Sequence, residues 1–127
     1  MPAAIVESFI SAIEHHDLEF ALTHLSEDCE YDNVPMGSVN GRDAVRATLA
    51  PFLGMFDAIE WVTTHQVASG TAADGVVMNE RLDRFRSGER SLELPVAGLF
   101  VVRDGHITLW RDYFDKETLL VAMAALG

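Results

Sequence analysis

The sequence predicts an α+β fold in which helices cover one face of a curved, mainly antiparallel sheet. Three observations carry this. Apolar residues recur at helical spacing through the first part of the chain, the pattern changes to strand-like alternation after Gly54, and turn signals divide that second part into regular strands. The alternating βα units that a sheet covered on both faces would require are absent.

Ile5, Val6, Phe9, Ile10 and Ile13 place one face of a first helix, with His15 and His16 near its end. Asp17 can cap a shorter second helix carrying Leu18, Ala21 and Leu25, and Glu27 and Asp28 then mark a polar break. Cys29 to Val34 reads as a strand ended by Pro35, and Gly37 to Gly41 as a loop. Val45, Leu49, Phe52 and Leu53 form the apolar side of a third helix, which Pro51 should kink or end. Strands follow over Ile59 to Val67, Val76 to Phe85, Leu92 to Val102 and Ile107 to Phe114. They are separated by Ala73-Asp74-Gly75, Ser87-Gly88-Glu89 and Asp104-Gly105, the last a strong two-residue hairpin signal. A final helix is expected over Lys116 to Ala125, from the spacing of Leu119, Leu120 and Met123.

With 127 residues, 49% of them apolar, the chain fits a single domain over 1–127. A chain of this size buries roughly two-thirds of its unfolded surface, enough for a core with a pocket in it. Twenty acidic against nine basic residues give a formal net charge of −11, so the average field repels nucleic acid and anionic membrane surfaces. The same acidity also serves plain solubility. The one cysteine, Cys29, cannot form an internal disulfide, and no secretory n-region with a long apolar run is present, so the cytoplasm is the expected compartment. The longest apolar stretches, such as Val96 to Val102, are too short to cross a bilayer as a helix.

Strand side chains two apart share a face. Tyr31 and Asn33 therefore share one, as do Val77, Asn79, Arg81, Asp83 and Phe85, and again Trp110, Asp112 and Phe114. Alone, Arg81 with Asp83 reads best as an exposed strand ion pair worth less than about 1 kcal/mol. Asp112 alone reads equally well as a solvated neighbour of Arg111, and Tyr31 with Asn33 as the end of a strand. Together, polar groups set beside large apolar ones on alternating positions suit a pocket wall better than a wet surface. The opposite faces also hold apolar residues (Val76, Met78, Leu82, Leu109, Tyr113), so alternation alone leaves the inward face open.

Other chemistries fit less well. The histidines at 15, 16, 24, 65 and 106 lack a metal-ligand spacing, and Cys29 is better read as a small buried hydrophobe than as a nucleophile. A Gly-x-Ser-x-Gly elbow and a phosphate-binding glycine loop are missing, and the basic residues are too scattered for a nucleic-acid channel.

Three motifs, Tyr31-Asp32-Asn33-Val34-Pro35, Glu80-Arg81-Leu82-Asp83 and Trp110-Arg111-Asp112-Tyr113-Phe114-Asp115, resemble those of the limonene-1,2-epoxide hydrolase family on the nuclear transport factor 2-like fold. Gly41-Arg42-Asp43-Ala44-Val45 and Gly98-Leu99-Phe100 are weaker matches, and the similarity runs from the first helix to the last. The resemblance implies a deep conical, apolar pocket closed by helices, a homodimer, and a catalytic set of Tyr31, Asn33, Arg81, Asp83 and Asp112. It implies an apolar wall at Phe52, Phe56, Phe85, Leu94, Val96, Phe114 and Leu119.

In the implied reaction Asp112 takes a proton from a water that Tyr31 and Asn33 also hold, and Asp83 protonates the opening epoxide oxygen. Arg81 bridges the two carboxyl groups. A small apolar, terpene-like or cyclic epoxide would give a vicinal diol in one step, without metal, cofactor or covalent ester. The fold also hosts isomerases, polyketide cyclases and noncatalytic binders of apolar metabolites, which stand as alternatives.

Overall fold

The computed structural model describes residues 1–126; Gly127, the last residue of the expected domain, lies outside them. In chain order the elements are α1 (Pro2–Glu14), α2 (Leu18–Leu22), β1 (Leu25–Asn33), β2 (Gly37–Asn40), α3 (Arg42–Leu53), β3 (Ala58–Gly70), β4 (Asp74–Ser87), β5 (Arg90–Arg103), β6 (His106–Tyr113) and α4 (Lys116–Leu126). The fold class is the expected one: one six-stranded sheet in the order β2-β1-β6-β5-β4-β3, with the helices against it.

From β3 to β6 the chain is an antiparallel meander, and its turns follow the residue types. Asp104 and Gly105 both take positive φ (49° and 80°), as a two-residue hairpin of type I′ requires, so that Arg103 pairs with His106. β1 joins β6 in parallel, which only the long connection through α3 and the meander makes possible.

Three local readings are corrected. Leu25 opens β1 rather than closing α2, because its side chain is fully buried in the sheet core. Gly37 to Asn40 is not loop but a short edge strand paired with β1, from Asn33 opposite Gly37 to Glu30 opposite Asn40. Pro51 neither ends nor breaks α3, which runs on to Leu53. A proline in the last turn forfeits one backbone bond where the helix is about to end, which limits the cost.

The core lies between the sheet and the helices. α1 buries Val6, Phe9, Ile10, Ala12 and Ile13, and Phe9 meets Trp110 edge-on at 4.9 Å. β4 and β5 bury alternate residues; in β4 these are Gly75, Val77, Asn79, Arg81, Asp83 and Phe85, whereas β3 buries only Ile59 and Trp61. Ile107 and Trp110 are both buried although three apart, because a register shift opposite Val101 and Val102 resets the alternation of β6. Among the described residues no helix is long and apolar enough to cross a membrane.

Candidate active site

The three charged residues of the implied catalytic set lie together inside the fold. The Arg81 side chain is wholly buried, and those of Asp83 and Asp112 are only 5% and 6% exposed. Arg81 donates from Nε and Nη2 to the two oxygens of Asp83 (3.0 and 3.1 Å) and from Nη2 to Asp112 Oδ2 (3.0 Å). One guanidinium thus joins two carboxyl groups carried by strands that are not neighbours, since β5 lies between β4 and β6.

Gly98 on β5 makes that reach possible. Opposite it lie Asn79 on β4 and Asp112 on β6, and a Cβ there would overlap Arg81 Nη1 and stand 2.8 Å from Asn79 Oδ1 and 3.1 Å from Asp112 Oδ1. The guanidinium occupies the space of the missing side chain. Asn79 Oδ1 accepts a further bond from Nη1 (3.0 Å). The guanidinium also lies 5.1 Å from the Trp61 ring centroid.

Asp112 Oδ1 accepts from the indole N–H of Trp110 at 3.1 Å, so each of its oxygens has one donor. Trp110 is also the floor for Tyr31, whose ring stacks on it at 3.9 Å and 13°. The parallel register puts Tyr31 beside Trp110 and Asn33 beside Asp112, bringing the Tyr-x-Asn pair to the second carboxyl group.

Burial is the largest influence on Asp83 and lifts its pKa from 3.8 to about 6; Arg81 opposes that rise, while Asp112 and Glu14 add to it. For Arg81, burial works against the charge, but the charges of Asp112 and Asp83 outweigh it and raise its pKa. Burial also raises Tyr31, with Asp112 adding and Asn33 opposing, so Tyr31 is a neutral phenol able to donate and accept hydrogen bonds. Cys29 is buried outside this site, its thiol pushed up to about 12 mainly by burial.

Tyr31, Asn33, Asp83 and Asp112 face a cavity of about 380 Å³ that is otherwise lined mostly by apolar side chains; Arg81, wholly buried, is not on its wall. Phe52, Phe85, Leu94, Val96, Phe114 and Leu119 are on its wall. Phe56 is not: it lies behind, with ring centroids 5.2 Å from Phe52 and 5.1 Å from Phe85, so it supports the wall. The turn and edge strand at Met36 to Val39, helix residues Thr48, Leu49 and Leu53, and Trp61 complete the lining.

Sequence reasoning passed over Asn79, Gly98, Trp61 and Trp110 as parts of this arrangement. Asn79 stood on the polar face of its strand, and a glycine inside a strand signals close approach of another group. Trp61 carried no such signal; its buried indole nitrogen has no hydrogen-bond partner among the described residues. No group of three or more His, Cys, Asp or Glu among the described residues could hold a metal ion.

Residues 1–125 match the model of the limonene-1,2-epoxide hydrolase catalytic domain. The chain is 34% identical over 110 residues to epoxide hydrolase EphG of Mycobacterium tuberculosis, covering 87% of this chain and 70% of that protein. The structure of a limonene epoxide hydrolase-like epoxide hydrolase from the same organism superposes with a TM-score of 0.75 at 31% identity, over 97% of this chain and 92% of the other. A hypothetical protein of ketosteroid isomerase-like fold from Catenulispora acidiphila, 18% identical, superposes with a TM-score of 0.72 over 94% and 92% of the two chains, a likeness of fold alone.

Proposed function

Since the chain belongs to the limonene-1,2-epoxide hydrolase family, we propose that this epoxide hydrolase adds water directly to small apolar epoxides, terpene-like or cyclic, giving vicinal diols. The observation that carries the mechanism is the single buried guanidinium bonded to two carboxyl groups that both line the cavity.

Water is held between Asp112, Tyr31 and Asn33. Asp112 takes its proton as the water oxygen bonds to an epoxide carbon, while that same carbon's bond to the ring oxygen breaks and Asp83 protonates the departing oxygen. Two carboxyl groups in a dry site resist ionising together, and the raised pKa of Asp83 favours the state in which Asp83 holds the proton. The reaction moves one negative charge from Asp112 to Asp83. Arg81 touches both, so the charge has a fixed counter-ion before and after the step. Passing a proton from Asp112 back to Asp83 restores the starting state.

The apolar wall supports an apolar substrate, and about 380 Å³ suits a small cyclic skeleton. A fixed cation on both acids weakens either as a base toward a carbon-bound proton, which disfavours isomerase or cyclase chemistry. The working form in this reading is a homodimer of single-domain subunits, the state the family resemblance implies, in the cytoplasm that the single cysteine favours; a sizing measurement giving only monomer would remove the dimer.

Single-turnover hydrolysis of a cyclic epoxide in oxygen-18 water tests the mechanism. The label is expected in the diol during the first turnover. Label entering an aspartate carboxyl group, with unlabelled oxygen in the first diol, would replace direct attack by a covalent ester. Absence of turnover across terpene, cycloalkene and aryl epoxides would favour the isomerase or binding alternatives.

A further inference from the structure

A lateral row on the inner face of the sheet runs Gln66 (β3), Asn79 (β4), Gly98 (β5), Asp112 (β6), Asn33 (β1). Four of these residues are polar and the fifth has no side chain. The Arg81 guanidinium lies over the gap at Gly98, with both carboxyl groups on its Nε and Nη2 side and only Asn79 bonded to Nη1.

We infer that Asn79 is a positioning residue for the hydrolysis, a neutral anchor that keeps the Arg81 guanidinium in place while charge moves between Asp112 and Asp83. This rests on the direct-water reading above. The geometry gives three supports. Asn79 is 4% exposed, so water does not replace it easily. Arginine only donates hydrogen bonds, so the asparagine atom facing Nη1 must be the carbonyl oxygen, leaving the amide NH2 toward Gln66 Oε1 at 3.4 Å. An amide does not ionise, so its hold on Nη1 is the same before and after proton transfer, unlike that of either carboxyl group.

Without this acceptor Nη1 is a buried donor with nothing to bond, and the guanidinium gains by turning toward another partner. Turning loosens its grip on Asp83. The charged groups around Asp83 are Arg81 on its own strand, Asp112 on β6 and Glu14 on α1; of these only Arg81 stabilises the carboxylate, so Asp83 then holds its proton to higher pH.

Asn79→Leu and Asn79→Asp separate positioning from filling. In the leucine variant kcat is expected to fall roughly 10- to 100-fold, the rate equivalent of one hydrogen bond to a charged group, with KM nearly unchanged. The aspartate variant keeps the acceptor and adds a negative charge; kcat at its own optimum should stay within a few-fold of wild type, with Asp83 titrating at higher pH.

Carbon-13 NMR of the aspartate carboxyl groups follows that titration without any substrate, so it reads the anchor even if epoxide turnover proves absent. An upward move of Asp83 in folded Asn79→Leu supports the inference, since leucine adds no charge and acts only through the lost acceptor. An unmoved Asp83 titration or a wild-type kcat in folded Asn79→Leu overturns it. The added charge of Asn79→Asp raises Asp83 whatever the anchor does, so that variant is read by kcat: if leucine does not fold, a kcat within a few-fold of wild type supports the anchor and a loss of roughly 10-fold or more overturns it.

Discussion

Gly98 and Arg81 share one volume: a Cβ on the glycine would overlap Nη1 of the guanidinium, which crosses β5 there to reach from β4 to β6. Gly98→Ala must displace a side chain that three partners pin and no solvent can receive. The expected result is a folded enzyme with activity reduced at least about tenfold, because the bridge to Asp112 is worth about 1.5–3 kcal/mol as a charge-assisted hydrogen bond. Steady-state kinetics with circular dichroism checks it; wild-type kcat would mean that the bridge is dispensable.

Asp83→Asn and Asp112→Asn remove the acid and the base while keeping shape. Each is expected to lower kcat by roughly 10²- to 10⁴-fold, the usual range for one general acid or base. The double variant should lose much less than the product of the two, since the residues act on one step. Diol formation followed by chromatography measures all three, and full additivity would show that the carboxyl groups work independently.

The raised pKa of Asp83 sets a pH dependence. Its donating form is protonated, present below about 6 and lost as pH rises through that value, so kcat/KM should decline on the alkaline side from near pH 6. An apolar substrate that expels water disfavours the carboxylate further, so the same limb in kcat should lie at higher pH. A pH profile flat from 6 to 9 would contradict Asp83 as the donor.

Trp110 carries both sides of the water site, holding Asp112 through its N–H and Tyr31 through its ring. Trp110→Phe leaves an aromatic surface under Tyr31 but removes the donor to Asp112 Oδ1. We expect kcat to fall roughly tenfold or more, with KM for an apolar epoxide changing less, since the N–H is not a cavity-wall group. A change confined to KM would place Trp110 in substrate binding instead.

Much of this molecule is readable from local pattern. Helical spacing located α1, α3 and α4, alternation located the meander, and Asp104-Gly105 one of its two-residue turns. These features depend on neighbours within a few residues, so composition and spacing suffice. The shared face of Val77, Asn79, Arg81, Asp83 and Phe85 was equally legible, because a pleated strand permits no other arrangement.

Which face turned inward was decided only by the tertiary structure. Both faces of β4 carry apolar residues, and burial of one of them strips water from Arg81, set against Trp61 and Phe100, and from Asp83, changing them from an ordinary ion pair into a buried charge system. The same holds for β2, too short and polar to read as a strand until β1 lay beside it, and for Phe56, whose place behind Phe52 and Phe85 depends on how three elements converge. Residue order determined the identity and spacing of the chemical groups. The register of Gly98 between Asn79 and Asp112 decided whether one guanidinium could join them, because that contact spans three strands and no local rule reaches across them.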